Sequence, residues 1–246
     1  MLWVRRAVQK SGTKETTKVR HELDVAKVAS YLRSQKVITT EKPPQIQQFA
    51  HGQSNPTYVL RFPEGEKALV VRKQPGGKLL RGAHDVEREF AVASALKPLG
   101  VPAPTALALC HDPEVLGTKF WVYEYVEGVH FKDAYLEKAA SNEERFGYFA
   151  AAARAAAQLH SATPPDTLVA QLASPSQRGY LERQIRTWRR QYEAADEKLN
   201  EKTSASAAFR VADDLAATVE ANKGDLDEGS FQCVSHGDFR TDNMIF

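Results

Sequence analysis

The sequence predicts an α+β fold, an antiparallel sheet with a helix followed by a mostly helical half. Three observations carry this. Between Gln45 and Val126, short runs rich in β-formers are separated by turn residues, with one helical pattern among them. From Glu143 onward the apolar residues recur at helical spacing in Ala-rich and charged segments. The final stretch, Val234–Phe246, returns to an apolar–polar–apolar pattern that reads as strand, tight loop and strand. Strands followed by helices in blocks belong to the α+β class.

Composition bounds the function. The chain has 246 residues, 42% hydrophobic and 26% charged, which suits a compact globular protein. A net charge of +2 gives no global case for nucleic acid or a membrane surface. No apolar run approaches the roughly 20 residues of a membrane span. Cys110 and Cys233 form no metal pattern. They fit a reducing interior, cytoplasmic by default. Residues 1–21 carry Arg5, Arg6, Lys10, Lys14, Lys18 and Arg20 against Glu15 alone. That is a basic flexible tail or an organelle presequence, and the second would make the protein mitochondrial.

Each element has its own signal along the chain. Leu23, Ala26, Val28, Ala29 and Leu32 give Glu22–Ser34 a helical stripe, and Pro43-Pro44 interrupts the chain before the first strand. Ile46–Phe49, Thr57–Phe62 and Ala68–Arg72 read as a β-meander turned at Pro63–Glu66. The first connection contains Gly52, Gln53, Ser54 and Asn55, small and polar residues whose backbone N–H groups can approach phosphate oxygens. A plain hairpin loop reads the same way. Arg72 and Lys73 close the third strand, and alternation points them to opposite faces. Ala83–Leu99 is a helix with Val86, Phe90, Ala93 and Leu96 on its apolar face and Glu87 and Glu89 within it. After the extended exit at Gly100–Pro104 come strands at Ala106–Cys110 and Phe120–Val126. Helices are then expected at Glu143–Ser161, Arg178–Asn200 and Ala205–Lys223, with a Pro- and Ser-bearing loop at Thr163–Gln177. His160, at a helix end, reads as structural.

The chemistry concentrates in His236-Gly237-Asp238-Phe239-Arg240-Thr241-Asp242-Asn243. Phosphoryl transfer needs a carboxylate to orient the acceptor hydroxyl, an amide oxygen on Mg²⁺ and a cation for the γ-phosphate charge. Asp238, Asn243 five residues later and Arg240 supply those groups. A turn held by an Asx hydrogen bond is the plain alternative. Reading His236 and Asp238 as hydrolase metal ligands is a remote one.

His236-Gly237-Asp238, four residues, then Asn243 resembles the catalytic loop of the aminoglycoside phosphotransferase and choline kinase superfamily. Gly52–Tyr58, Gly77–Leu80, Ala83–Phe90 and Gln184-Ile185-Arg186 with Trp188 resemble, more closely, the kinase-like domain of its acyl-CoA dehydrogenase-fused branch. The resemblance implies a protein-kinase-like bilobal fold. Residues 22–123 would be the nucleotide-binding lobe, 124–128 a hinge, and 129–246 the helical lobe ending at the catalytic loop. It implies ATP and Mg²⁺ as cofactors and a small-molecule hydroxyl as acceptor, a hydroxyacyl-CoA in the fused members. By position, Asp238 is the base, Asn243 the metal ligand and Arg240 the γ-phosphate contact. Arg72 stands where relatives carry Lys, with Lys73 as the back-up and Glu89 as the helix partner. Glu124, Tyr125 and Val126 hold adenine through their backbone. The family's second metal-binding Asp falls beyond Phe246. A chain ending there is therefore expected to be either part of a small-molecule kinase or an inactive kinase-like module that binds nucleotide or a partner.

Overall fold

The structure, a computed structural model, describes residues 2–3, 16–17, 23–49, 55–63, 66–77, 85–172, 184–190, 214, 216–222 and 233–246. The chain divides into two compact units, Met1–Leu172 with Cys233–Phe246, and Ala173–Gln232. In the second unit residues 184–190 and 216–221 are helical. The remainder of the two helices expected there lies outside the described residues.

Among the described residues the main sheet of the first unit has six strands: β2 (Thr16–Thr17), β3 (Gln45–Phe49), β4 (Thr57–Arg61), β5 (Leu69–Lys73), β6 (Ala106–Cys110) and β7 (Phe120–Glu124), in the antiparallel order β2-β3-β4-β5-β7-β6. One face carries Tyr58, Leu60, Leu69, Val71, Phe120 and Val122. It packs on Val28, Ala29 and Leu32 of helix α1 (Val25–Ser34), whose first turn is capped by Asp24 accepting from Lys27 N–H at 3.0 Å. The opposite face carries Val70, Trp121 and Tyr123 against Val86 and Ala93 of helix α2 (Val86–Leu96), capped by Asp85. α2 starts at its Asp cap and passes into a 3₁₀ turn at Lys97–Leu99, so it is shorter than its hydrophobic pattern.

Helix α4 (Asn142–Ser161) is capped by Ser141, with the Glu144 carboxylate reaching back to Ala140 N–H. It packs Tyr148, Ala151, Ala152 and Ala155 on Phe131, Leu136, Met244 and Phe246. The aromatic rings of Phe131, Tyr148 and Phe246 meet edge to face. The strand that leaves the motif loop, β8 (Met244–Ile245), is thus rooted in a core of its own.

Several elements depart from the sequence expectation. Helix α3 (Pro113–Leu116), a single turn capped by Asp112, has too few residues to show periodicity. Helix α5 (Asp166–Leu172) occupies part of the stretch expected to be a loop. Pro164-Pro165 precedes it, and the Pro165 carbonyl accepts from Leu168 and Val169 N–H, so the prolines mark a helix start rather than a loop. Within the expected flexible tail, β1 (Leu2–Trp3) pairs in parallel with β8 and β2 pairs with β3. Both neighbours offer open backbone edges that a short strand can satisfy.

Candidate active site

The β4–β5–β7 register sets three side chains in one row. Arg72 lies opposite Thr57 on one side and Trp121 on the other. All three share the face toward α2, and Glu89 of α2 sits on them. Arg72 donates from Nε to Glu89 Oε2 at 2.6 Å and from a terminal nitrogen to Oε1 at 3.1 Å, a bidentate pair. Its other terminal nitrogen donates to Thr57 Oγ1 at 3.2 Å. Trp121 Nε1 donates to Glu89 Oε2 at 3.0 Å, and Asn55 Nδ2 to Oε1 at 3.2 Å. Burial pulls the Arg72 guanidinium down, but the charge and hydrogen bonds of Glu89 carry it above its ordinary value. Burial likewise raises the neighbouring Tyr123 phenol and keeps it protonated. Of the loop residues expected to cradle phosphate, Asn55 is buried in this network. Gly52, Gln53 and Ser54 lie outside the described residues.

Lys73 points the other way, as strand alternation requires. It lines an open cleft of about 330 Å³ with Asp24, Lys27 and Glu114, between α1 and α3. Burial lowers its amine. Arg72, not Lys73, is therefore the cation beside Glu89. Glu87, on another face of α2, pairs with Lys119 at 2.9 Å and His111 at 2.8 Å.

At the motif loop Gly237 takes a left-handed φ of 78°, which lets the chain turn between His236 and Asp238. Burial lowers the His236 imidazole, and Asp238 partly offsets this. His236 Nδ1 accepts from Asp238 N–H at 3.2 Å, which leaves the proton on Nε2 in the neutral ring. A 3₁₀ turn, Thr241–Asn243, then folds Asn243 back on Asp238. Asn243 Nδ2 donates to Asp238 Oδ2 at 2.7 Å and to its carbonyl at 3.1 Å. The expected short strand before the loop is not present at Val234, which is irregular.

Arg240 is engaged by Asp242, a residue to which the sequence pattern assigns no role. The guanidinium pairs with both carboxylate oxygens and stands 3.8 Å from Asp238 Oδ1. This bond holds the Asp242 carboxyl below its ordinary value. Asp242 is fixed from behind, because buried His130 meets its carbonyl at 2.9 Å through Nε2. The i to i+2 spacing of Arg240 and Asp242 was the available signal. Nothing in sequence pointed to His130.

The segment expected to be a hinge runs from β7 into the motif-loop core. Glu124 pairs with Lys67 at 3.0 Å, and its N–H donates to Thr105. Tyr125 N–H donates to Ala68, and its ring carries Arg61 at 4.9 Å. Among the described residues no hydrogen bond involves the Val126 backbone. Two residues later Gly128 meets the strand end. A Cβ there would lie 2.4 Å from the Phe246 carbonyl oxygen. Val129 and Phe246 exchange both backbone hydrogen bonds beside it, at 2.8 and 2.9 Å. Ile245 joins Val70, Trp121 and Tyr123 in one apolar cluster, with Phe49, Tyr125 and Val126 at its margin. That cluster packs Ile245, which follows the motif loop, on the sheet face from which Arg72 reaches Glu89 of α2.

Residues 45–246 match the sequence family described as the phosphotransferase enzyme family. The chain belongs to that family. It is also 36% identical over 238 residues to acyl-CoA dehydrogenase family member 10 of Mus musculus, covering 96% of this chain and 21% of that one. It is 39% identical over 206 residues to the probable acyl-CoA dehydrogenase IBR3 of Arabidopsis thaliana, covering 82% and 24%. The chain thus spans about a quarter of the length of these curated relatives. A solved structure from Ralstonia eutropha, described provisionally as an aminoglycoside phosphotransferase, superposes with a TM-score of 0.65 at 29% identity. It covers 92% of this chain, and this chain covers 61% of it. The fold is therefore the kinase-like α+β fold of these phosphotransferases.

Proposed function

We propose that this phosphotransferase-family domain moves the γ-phosphate of ATP, with Mg²⁺, to a hydroxyl on a small molecule. The observation that carries the reading is the apolar cluster of Ile245 with Trp121 and Tyr123. Ile245 lies two residues after Asn243 and Trp121 pairs with Arg72 across the sheet, which supports a reading in which the Asp238–Asn243 and Arg72–Glu89 pairs serve one site. A phosphoryl-transfer site needs these two pairs held together.

Each residue has a distinct task. Asp238 accepts the proton of the acceptor hydroxyl as its oxygen attacks phosphorus. Asn243 would hold Mg²⁺. Its amide N–H groups are turned to Asp238, and among the described residues nothing donates to its Oδ1, a hard oxygen of the kind this ion takes. Bound Mg²⁺ would neutralise charge on the transferring phosphates. Arg72, oriented by Glu89, contacts the nucleotide phosphates. Its fork leaves N–H groups beyond those given to Glu89 and Thr57. Arg240 contacts the γ-phosphate from its pair with Asp242. Gly52, Gln53 and Ser54 cover the phosphates. In the hinge Glu124–Val126, Glu124 and Tyr125 have spent their N–H groups on Thr105 and Ala68, so the Val126 N–H is the hinge donor left for adenine.

The acceptor is a hydroxyacyl-CoA. Support comes from relatives named as acyl-CoA dehydrogenases, whose remaining length leaves room for such a domain acting on the same class of thioester. Phosphate transfer from ATP to a panel of hydroxyacyl-CoA thioesters, free hydroxy acids and aminoglycosides tests it. Thioester-dependent ADP formation, abolished by Asp238→Asn, is expected. ATP binding with no transfer to any acceptor would favour a nucleotide-binding module instead.

A further inference from the structure

Four donors converge on the two oxygens of Glu89, and only two belong to Arg72. The others are Trp121 Nε1 at 3.0 Å and Asn55 Nδ2 at 3.2 Å. Glu89 is thereby fixed from three directions: Arg72 on β5, Trp121 on the next strand β7, and Asn55 on the chain entering β4. Thr57 closes the ring. It accepts from Arg72 and donates to the Asn55 carbonyl at 2.9 Å.

The chemistry of Asn55 separates two roles. The residue is 1% exposed, and its amide nitrogen is committed to Glu89. A second N–H on the same buried nitrogen and Oδ1 remain, and among the described residues Oδ1 has no hydrogen-bond partner. An amide oxygen only accepts, and so does an ionised phosphate oxygen. The Oδ1 of Asn55 therefore cannot serve phosphate, and its nitrogen is held at Glu89. Trp121 is a donor only, and its single N–H is spent on Glu89.

We propose that Asn55 and Trp121 are positioning residues that lock Glu89 so that Arg72 is presented to the nucleotide phosphates in one orientation. This rests on the phosphotransferase reading above. An Arg fork aimed at phosphate loses its value when it can swing, because bidentate recognition depends on its plane. With Glu89 anchored by two neutral donors, the carboxylate cannot rotate to follow Arg72. The two also supply hydrogen bonds to a half-buried carboxylate without adding charge.

The test is a double-mutant cycle on MgATP affinity, measured by calorimetric titration of the whole chain. Trp121→Phe keeps the ring and deletes the N–H. Asn55→Ala deletes the amide. Each is expected to weaken MgATP binding about tenfold, the size of one hydrogen bond to a charged group. In an Arg72→Ala background neither should weaken it further, because both act through Arg72. Equal losses with and without Arg72 would assign them to packing and overturn the proposal. So would unchanged affinity in either single variant. If Trp121→Phe fails to fold, the Asn55→Ala arm decides by itself. Absence of MgATP binding by the unmodified chain would instead refute the phosphotransferase reading, so the two failures are distinct.

Discussion

Gly128→Ala should unfasten the motif loop from the sheet, although residue 128 lies far from Asp238 in sequence. The new Cβ would stand 2.4 Å from the Phe246 carbonyl oxygen and 2.5 Å from Ile245 Cγ2. The side-chain contact can yield by rotation. The carbonyl cannot, since it belongs to the reciprocal hydrogen-bonded pair of Val129 and Phe246. Relief requires strand β8 to move away. Two backbone hydrogen bonds at about 1 kcal/mol each would weaken. Forcing one methyl into a packed core costs about 1–3 kcal/mol more. The sum, about 3–5 kcal/mol, corresponds to a fall in Tm of about 10 °C for a domain of this size. Thermal unfolding followed by circular dichroism reads it directly. Because β8 directly succeeds Asn243, MgATP affinity should fall as well, even at temperatures where the variant is folded. A Gly128→Ala protein melting within a degree of wild type would refute the steric reasoning.

Other substitutions probe the site itself. Asp238→Asn removes the base and keeps the hydrogen-bonding shape, so transfer should fall about 10²–10⁴-fold while ATP affinity stays near wild type, as separate kinetic and binding titrations would reveal. Arg72→Lys keeps the charge but cannot span both oxygens of Glu89. ATP affinity should drop about tenfold in calorimetry, and unchanged affinity would show that the fork is dispensable. Asp242 titrates below its ordinary value because Arg240 holds its charged form. Its contribution to stability is present above the unfolded carboxylate value and lost as pH falls through the lower folded one, in the window below about pH 4. Denaturation midpoints compared between pH 6 and pH 3 should show a smaller acid loss in Asp242→Asn than in wild type.

The sheet and α2 were legible because alternation and helical period both survive in the sequence. Arg72 and Lys73 separate to opposite faces on β5 by that rule alone, and Glu89 meets Arg72 because α2 crosses the same face. The row Thr57–Arg72–Trp121 was not legible, since cross-strand register depends on turns that local pattern does not fix. Loop composition alone points Asn55 toward phosphate. Its burial and its bond to Glu89 arise only once β4 is laid against α2. His130 gave no signal either, because its partner is the backbone carbonyl of Asp242 and carries no side-chain code. The pairing of Leu2–Trp3 with β8 is likewise a backbone event between distant segments.

The most direct test of the account is calorimetric titration of the chain with ATP in the presence and absence of Mg²⁺, repeated with Asn243→Ala. One binding site per chain is expected, with an affinity that depends on Mg²⁺ in the wild type and loses that dependence in the variant. Binding that ignores Mg²⁺ in both proteins, or no binding in either, would contradict it.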